Sequence, residues 1–202
     1  MILNGKGALN GTRLRLTDGG SYEASSAWYN TVVNIQQFTT NFSFQITGGT
    51  NPTADGFAFV IQGGASTALG PAGGGLGYGP DAVGGTGGLA NSIAVKFDLY
   101  SNNGEGPDST GLYVNGASPT TPFVDMTSSG VNLHTTDVFN VQISYNGTNL
   151  TMQITDTTTN ATFTQTWPIN IATTVGGNTA YVGFTGGTGG DTAIQEIIGW
   201  TM

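Results

Sequence analysis

The stretch VFNVQISYNGTNLTMQIT, residues 138–155, decides the fold class. In its first half Val141 and Ile143 alternate with polar side chains, and LTMQIT continues the same alternation in the second half. A period of two is typical of half-buried antiparallel strands. Asn146 and Gly147 stand between the halves, and both residue types tolerate a positive φ. The stretch therefore predicts an antiparallel hairpin with its turn at these two residues.

Similar strand patterns recur along the chain. Residues 41–46 (NFSFQI) alternate in the same way, and residues 161–167 (ATFTQTW) follow a polar turn and predict another hairpin. Residues 56–62 and 92–100 are denser in apolar side chains, which is typical of central strands buried on both faces. Gly or Pro interrupts almost every window that is long enough for a helix. The sequence predicts one all-β domain, an antiparallel β-sandwich spanning residues 1–202.

The composition excludes several classes of partner. The 202 residues include 34 Gly, no Cys, 4 Lys and Arg, and 12 Asp and Glu, for a net charge of −8. A nucleic-acid-binding surface needs clustered cations, so we expect no nucleic-acid partner. No apolar run is long enough to span a bilayer, so we expect no membrane insertion. The surface of Thr, Asn, Ser and Gly suits a secreted or cell-surface location, as part of a larger protein.

Two Gly-rich regions resist assignment to strands. Residues 63–91 form one long loop, and the pentapeptide GGTGG occurs at 84–88 and again at 186–190. Loops of this length in a globular domain are usually functional or mobile. For the copy at 84–88, we favour the explanation that a Gly-rich loop merely tolerates inserted residues and has no function of its own.

One acidic loop has the chemistry of a metal site. In KFDLYSNNGEGPD, residues 96–108, Asp98 ends a strand, and Asn102, Glu105 and Asp108 follow closely. Calcium takes six to eight oxygen ligands, including backbone carbonyls. An ordinary polar turn explains the same residues equally well.

Catalytic patterns are weak. His134, the single histidine, is expected in a loop near the start of a strand, and no G-x-S-x-G motif is present. The glutamates, among them Glu105, are isolated in sequence, so paired carboxylates for glycoside hydrolysis are not indicated. A pair of Asp residues from different segments stays open.

The loop at residues 96–108 resembles the strand-and-loop signature of the legume-type (L-type) lectin family. Further matches run through nearly the whole chain in the order of the family: LRLTDGGSYEASSAWYNTVVNI (14–35), TNFSFQI (40–46), ADGFAFVIQ (54–62), PAGGGLG (71–77), VQISYNGTNLTMQI (141–154), YVGFTGGTGG (181–190) and IIGW (197–200). The resemblance implies a concanavalin A-like jelly roll, with a front sheet below the sugar-binding loops and a back sheet behind it.

The resemblance also implies a carbohydrate site. Asp55, after a cis peptide bond from Ala54, would accept hydrogen bonds from sugar hydroxyls. Asn102 would donate its amide, and Tyr100 would stack its ring on a sugar. Backbone N–H groups would come from two loops, at Gly74 or Gly75 and at the specificity loop containing Gly187, Thr188 and Gly189.

For metal ions the resemblance implies calcium, and the chain departs from the family at the second ion. The calcium ligands would be Asp98, the Tyr100 carbonyl, Asn102 and Asp108. The spacing from Asn102 to Asp108 is one residue longer than usual, so Asn103 is an alternative ligand.

Lys96 and Ser109 stand where the family has Glu and His ligands, so no manganese is expected. Our hypothesis is that the Lys96 ammonium replaces the lost cation and holds Asp98 and Asp108. The alternative is a solvated lysine on a strand.

We therefore expect non-catalytic glycan binding that is assisted by calcium, with homodimerisation through the back sheet as a possible assembly. A polysaccharide hydrolase or lyase on the same fold is one alternative. An adhesive or structural module with a vestigial sugar site is another, and the missing metal ligands support it.

Overall fold

Fifteen strands form in the computed structural model, which describes residues 1–202. The strands are β1 (Ile2–Gly5), β2 (Ala8–Asn10), β3 (Arg13–Asp18), β4 (Ala24–Trp28), β5 (Val33–Asn34), β6 (Phe38–Thr47), β7 (Gly56–Gln62), β8 (Ser92–Asp98), β9 (Ser109–Val114), β10 (Val124–Asp125), β11 (Val138–Tyr145), β12 (Asn149–Asp156), β13 (Thr162–Pro168), β14 (Thr179–Gly187) and β15 (Ile194–Thr201). Two single 3-10 turns lie at Gly73–Gly75 and Thr127–Ser129.

The strands form two antiparallel sheets, which confirms the predicted sandwich. The front sheet has the order β1-β4-β14-β7-β8-β9-β10, with β5 pairing with β14. The back sheet has the order β13-β12-β11-β6-β15-β3-β2. Neighbours in both sheets are often distant in sequence, as expected of a jelly roll.

The main core fills the space between the sheets and contains 31 buried residues. Phenylalanines dominate its centre. Phe42 meets Phe184 with ring centroids 5.0 Å apart, and Phe44 meets Phe57 at 4.8 Å, both edge to face. Burial of each such ring contributes about 1.5–3 kcal/mol. The alternating phenylalanines of β6 thus join the two sheets, as the pattern in residues 41–46 indicates.

A second, smaller core lies on the outer face of the front sheet. The Gly-rich loop 63–91 covers that face, and together they bury Trp28, Ala58, Val60, Tyr78, Leu89, Ala94 and Tyr113. The Tyr78 hydroxyl accepts hydrogen bonds from Ser92 at 3.0 Å and from the Gly116 N–H at 3.1 Å. Every residue of β7 and β8 is therefore buried, which confirms the prediction of central strands covered on both faces.

The turn between β11 and β12 differs from the predicted one. The hairpin of β11 and β12 has a three-residue connection, in which only Gly147 takes a positive φ, of 99°. The Asn146 carboxamide instead accepts hydrogen bonds from the backbone of Thr148 and Asn149, at 3.0 and 2.9 Å. Asn146 therefore stabilises the turn through its side chain.

A short helix, α1 (Ile171–Val175), was not indicated by the sequence. The Asn170 side chain caps it by accepting a hydrogen bond from the Thr173 N–H at 3.0 Å, and Gly176 ends it with a φ of 85°. Neither this helix nor the 3-10 turns have the length and apolar character needed to cross a bilayer.

Candidate functional site

A cleft of about 530 Å³ opens at one end of the sandwich. The start of β7, the end of β8, the end of β14 and the start of β4 lie side by side there, because neighbouring strands are antiparallel. The segments that leave these strand ends form most of the cleft wall. Its lining residues are Tyr22, Ala54, Asp55, Ala72, Gly73, Gly74, Asp81, Tyr100, Asn102, Gly189, Gly190 and Asp191.

Asp55 lies at the base of the cleft and is only 4% exposed. The peptide bond from Ala54 is cis, as the resemblance implies. Its backbone is tied to two strand ends: Asp55 N–H donates to the Gly187 carbonyl at 3.3 Å, and its carbonyl accepts from Leu99 N–H at 2.8 Å. The side-chain Oδ2 has no hydrogen-bond partner. A buried acceptor is therefore available to a ligand.

The electrostatic environment of Asp55 is unfavourable for its charge. Burial, with a smaller effect of the nearby carboxylates of Asp98, Asp81 and Asp191, raises the pKa of Asp55 to about 7, and the Gly189 N–H acts against this rise. A donor or cation that approaches Oδ2 would relieve this cost, because it would replace the lost water.

Bare glycine backbone forms part of the wall. A β-carbon added at Gly74 would overlap Asp81 Oδ1 and would lie 2.7 Å from Asn102 Oδ1. Gly73 N–H donates to the Thr188 carbonyl at 3.0 Å, which joins the 63–91 loop to the end of β14. Gly75 is buried and does not line the cleft. Glycine at position 74 thus keeps the space between two polar side chains open.

The residues of the predicted specificity loop have different roles. Gly189 lines the cleft, and its carbonyl accepts from the Tyr22 N–H at 2.9 Å. Gly187 belongs to β14, and its carbonyl accepts from the Gln195 amide at 3.0 Å. The buried Thr188 hydroxyl donates to the Gly20 carbonyl at 2.7 Å. Gly187 and Thr188 therefore support the loop from behind.

Sequence reasoning missed several residues that line the cleft. Tyr22 is 78% exposed at the rim, with a φ of 57°. Its signal was an aromatic residue within the polar turn DGGSYE. Asp191 directly follows the second GGTGG, and Asp81 follows the Gly-rich PAGGGLGYGP. Both positions were detectable as charged residues beside loops already singled out.

Lys96 is completely buried and forms an ion-paired group behind the cleft. Its Nζ lies 2.7 Å from Asp98 Oδ2, 3.8 Å from Glu105 Oε1 and 5.8 Å from the centre of the Tyr113 ring. The prediction that Lys96 holds Asp98 is confirmed, and the alternative of a solvated lysine is wrong.

The predicted second partner of this lysine, Asp108, is incorrect. Asp108 instead accepts a hydrogen bond from the Leu133 N–H. Glu105, which looked isolated in the sequence, takes its place because the loop after β8 folds this side chain inward. Its Oε2 accepts from the Asn103 N–H, and this contact keeps the loop in that form.

The residues proposed as calcium ligands carry the type of oxygen donor that calcium prefers. Burial raises the pKa of Asp98 to about 6, and the Lys96 ammonium acts against this rise. Asp98 Oδ1 also accepts from the Tyr100 N–H at 3.1 Å. Each carboxylate oxygen has two lone pairs, so Asp98 and Asp108 keep acceptor capacity. Hard oxygen donors of this type suit calcium. No three His, Cys, Asp or Glu side chains are arranged to hold a metal ion.

His134 lies in the loop before β11, as predicted, and is engaged away from the cleft. Its Nδ1 is 2.7 Å from the Thr53 hydroxyl, and its Nε2 is 3.0 Å from the Pro107 carbonyl. Neither nitrogen pairs with a serine or a carboxylate. The arrangement therefore differs from a Ser-His-Asp triad.

Comparisons with known proteins agree with the fold described above. A family model described as legume lectin domain matches residues 1–202. The chain is similar to agglutinin-2 of Cladrastis kentukea, with 28% identity over 193 residues, 90% of this chain and 62% of the relative. It is also similar to the uncharacterized protein ORF413 of Acidianus filamentous virus 2, with 32% identity over 144 residues, 64% of this chain.

The chain spans only 30% of that viral protein's length. Among solved structures, a lectin from Bauhinia forficata in complex with GalNAc has a similar fold, with a TM-score of 0.82 and 21% identity. That alignment covers 98% of this chain and 89% of the other.

Proposed function

Since the chain belongs to the legume lectin domain family, we propose that its cleft binds carbohydrate without catalysing a reaction. The observation that carries the proposal is Asp55, which is buried at the base of the cleft with an unpartnered Oδ2. Sugar hydroxyls are donors, and a desolvated carboxylate is a strong acceptor for them. A sugar would therefore recover hydrogen bonding that the folded protein leaves unmade.

The remaining lining residues supply the other contacts that a sugar needs. The Asn102 amide would donate to a hydroxyl, and the backbone at Gly74 and Gly189 would allow close approach. Tyr100 lines the wall and Tyr22 stands at the rim, so either ring can cover the apolar face of a pyranose. The similar Bauhinia forficata lectin was solved with GalNAc, which supports a glycan as the ligand class.

Calcium assistance is a further part of the proposal. Asp98, the Tyr100 carbonyl, Asn102 and Asp108 would hold the ion, which would supply a fixed positive charge beside the cleft. Asp98 itself is held by Lys96, and this contact keeps the start of the loop in place. The ammonium would also repel a divalent cation, so we expect weak affinity. Calorimetric titration with calcium tests this, and no heat together with no change of melting temperature in chelator would contradict it.

We also propose a secreted or cell-surface location within a larger protein, and pairing of two copies through the back sheet. The scarcity of charged residues supports the location. Light scattering across a concentration series tests the pairing, and a constant monomer mass would contradict it.

A glycan array tests the proposed function directly. Wild-type protein and Asp55→Asn are compared with calcium and with chelator. The control is Asp137→Asn, a half-buried carboxylate that does not line the cleft. We expect binding to a defined set of glycans that Asp55→Asn abolishes and Asp137→Asn retains. Silence on every glycan would contradict the proposal and favour an adhesive module.

An enzyme on the same fold is the second candidate, and one observation favours it. Asp55, with its pKa raised to about 7, shares the cleft with Asp81 and Asp191, a combination that acid–base catalysis uses. Release of reducing ends from a polysaccharide panel, lost in Asp55→Asn, would support hydrolysis. An absence of turnover with retained binding would support the lectin.

A further inference from the structure

The charge of the cleft is one-sided. Three carboxylates, those of Asp55, Asp81 and Asp191, line it, and no Lys, Arg or His does. The four Lys and Arg side chains are all committed elsewhere: Lys6 pairs with Glu23, Arg13 and Arg15 pair with Glu196, and Lys96 pairs with Asp98 and Glu105. A ligand that enters the cleft therefore meets negative charge without a counter-charge from the protein.

The three carboxylates occupy separate parts of the cleft. Asp55 forms the base, where Oδ2 is buried, unpartnered and beside Gly189. Asp81 lies next to Gly74 on one wall, and Asp191 follows Gly190 on the segment after β14. They do not converge into a group that could hold a metal ion. An ammonium group needs only one carboxylate, so carboxylates that do not converge can still serve a cation carried on a larger molecule that also has hydroxyl groups.

We propose that the preferred ligand is a glycan that carries a protonated primary amine, namely a 2-amino-2-deoxy sugar without an N-acetyl group. The ammonium would donate to Asp81 on one wall or to Asp191 on the other, while a hydroxyl donates to Asp55. An ammonium has three donors and no acceptor, so the charge-assisted bond to a single carboxylate is enough to hold it. The net charge of −8 would also attract such a ligand from solution. The inference rests on the proposed glycan binding at this cleft.

The experiment uses glucosamine, galactosamine and mannosamine, each as the free amine and as its N-acetyl derivative, with affinities measured by NMR titration. We expect at least one free amine to bind about fivefold tighter than its N-acetyl form, with a preference that weakens as salt is added. The double variant Asp81→Asn with Asp191→Asn should remove the preference, so that the free amine and its N-acetyl form bind within about twofold of each other. The control Asp137→Asn should change neither affinity.

The outcomes separate the two proposals. If N-acetylated sugars bind as tightly as the amines in wild type, the amine preference is wrong and glycan binding stands. If none of the six sugars binds and the glycan array is also silent, both proposals are wrong. If calcium alone binds to wild type and loses its binding in the double variant, the carboxylates serve an ion, which also overturns the amine proposal.

Discussion

The cleft and the outer face of the back sheet are both polar, and they differ in how their polar groups are satisfied. Strands β6, β11, β12 and β13 carry amide and hydroxyl side chains on this outer surface, which we call the amide–hydroxyl face. It is formed by Asn41, Ser43, Asn140, Gln142, Thr151, Gln153, Thr155, Thr162, Thr164 and Thr166. Gln142 donates to Asn41 at 3.0 Å, and the Thr151 and Thr166 hydroxyls are 2.9 Å apart.

In the cleft, by contrast, the Asp55 carboxylate is buried without a partner for Oδ2. Desolvated and unpaired groups gain most from a ligand, whereas neighbours that already bond to each other gain little. The comparison indicates that a surface binds a ligand where its charged and hydrogen-bonding groups lack partners, and that polarity alone is not enough.

The largest expected effect concerns the buried charges behind the cleft. Lys96→Met should reduce the free energy of unfolding by about 3–5 kcal/mol, because Asp98 and Glu105 would stay buried without a cation. Urea denaturation measures it. The control, Arg13→Met, removes an arginine that is 37% exposed, and it should cost about 1 kcal/mol or less because Glu196 keeps its ion pair with Arg15. Equal losses in the two variants would show that burial does not distinguish these ion pairs.

The next effect is a pH dependence at the base of the cleft. The pKa of Asp55 is raised from 3.8 to about 7, so this residue favours the folded state below about pH 4, and that contribution is lost as the pH rises through about 7. Asp55→Asn should be the more stable form at pH 8, by up to about 4 kcal/mol, and should lose the advantage at pH 4. Thermal unfolding at both values measures it, and parallel pH profiles would contradict the assignment.

A smaller effect is expected on affinity alone. Gly74→Ala would place a methyl group against Asp81 and Asn102, so affinity for an array-selected glycan should fall about tenfold. The control is Gly199→Ala on the back sheet, where the nearest atom, Ser43 Oγ, is 3.8 Å away. It should leave the affinity unchanged. An equal loss in both variants, measured by calorimetry, would place the binding surface elsewhere.

The smallest effect belongs to the amide–hydroxyl face. The double variant Thr151→Val with Thr166→Val should change the free energy of unfolding by less than about 0.5 kcal/mol, because this exposed pair also bonds to water. Glycan affinity should not change. Loss of glycan binding in this variant would reverse the comparison between the two regions.

Much of the fold could be predicted from alternation. The period of two in residues 138–155 and the apolar density of residues 56–62 place β11, β12 and β7 correctly. The length of the turn at Asn146 was not predictable from residue types, since a side-chain hydrogen bond sets it. Helix α1 was not predicted because it is one turn long and depends on the caps at Asn170 and Gly176 rather than on periodicity.

The cleft was predictable only in part. Asp55, Gly74 and Asn102 came from the family resemblance, which matches segments and not single rim residues. Asp81 and Glu105 lie in loops whose path depends on tertiary contacts, such as the burial of Tyr78. The partner of a buried charge is decided by which loop side chain folds inward, and sequence spacing does not encode that choice.

The central claim is that the cleft, and not the amide–hydroxyl face, binds glycan. Amide chemical shifts of the ¹⁵N-labelled protein, recorded during titration with an array-selected glycan, test this most directly. We predict that the shifts concentrate at Asp55, Gly74, Asn102 and Gly189 and fade along the strands. Shifts concentrated at Asn41, Gln142 and their neighbours, with the cleft unchanged, would contradict the account.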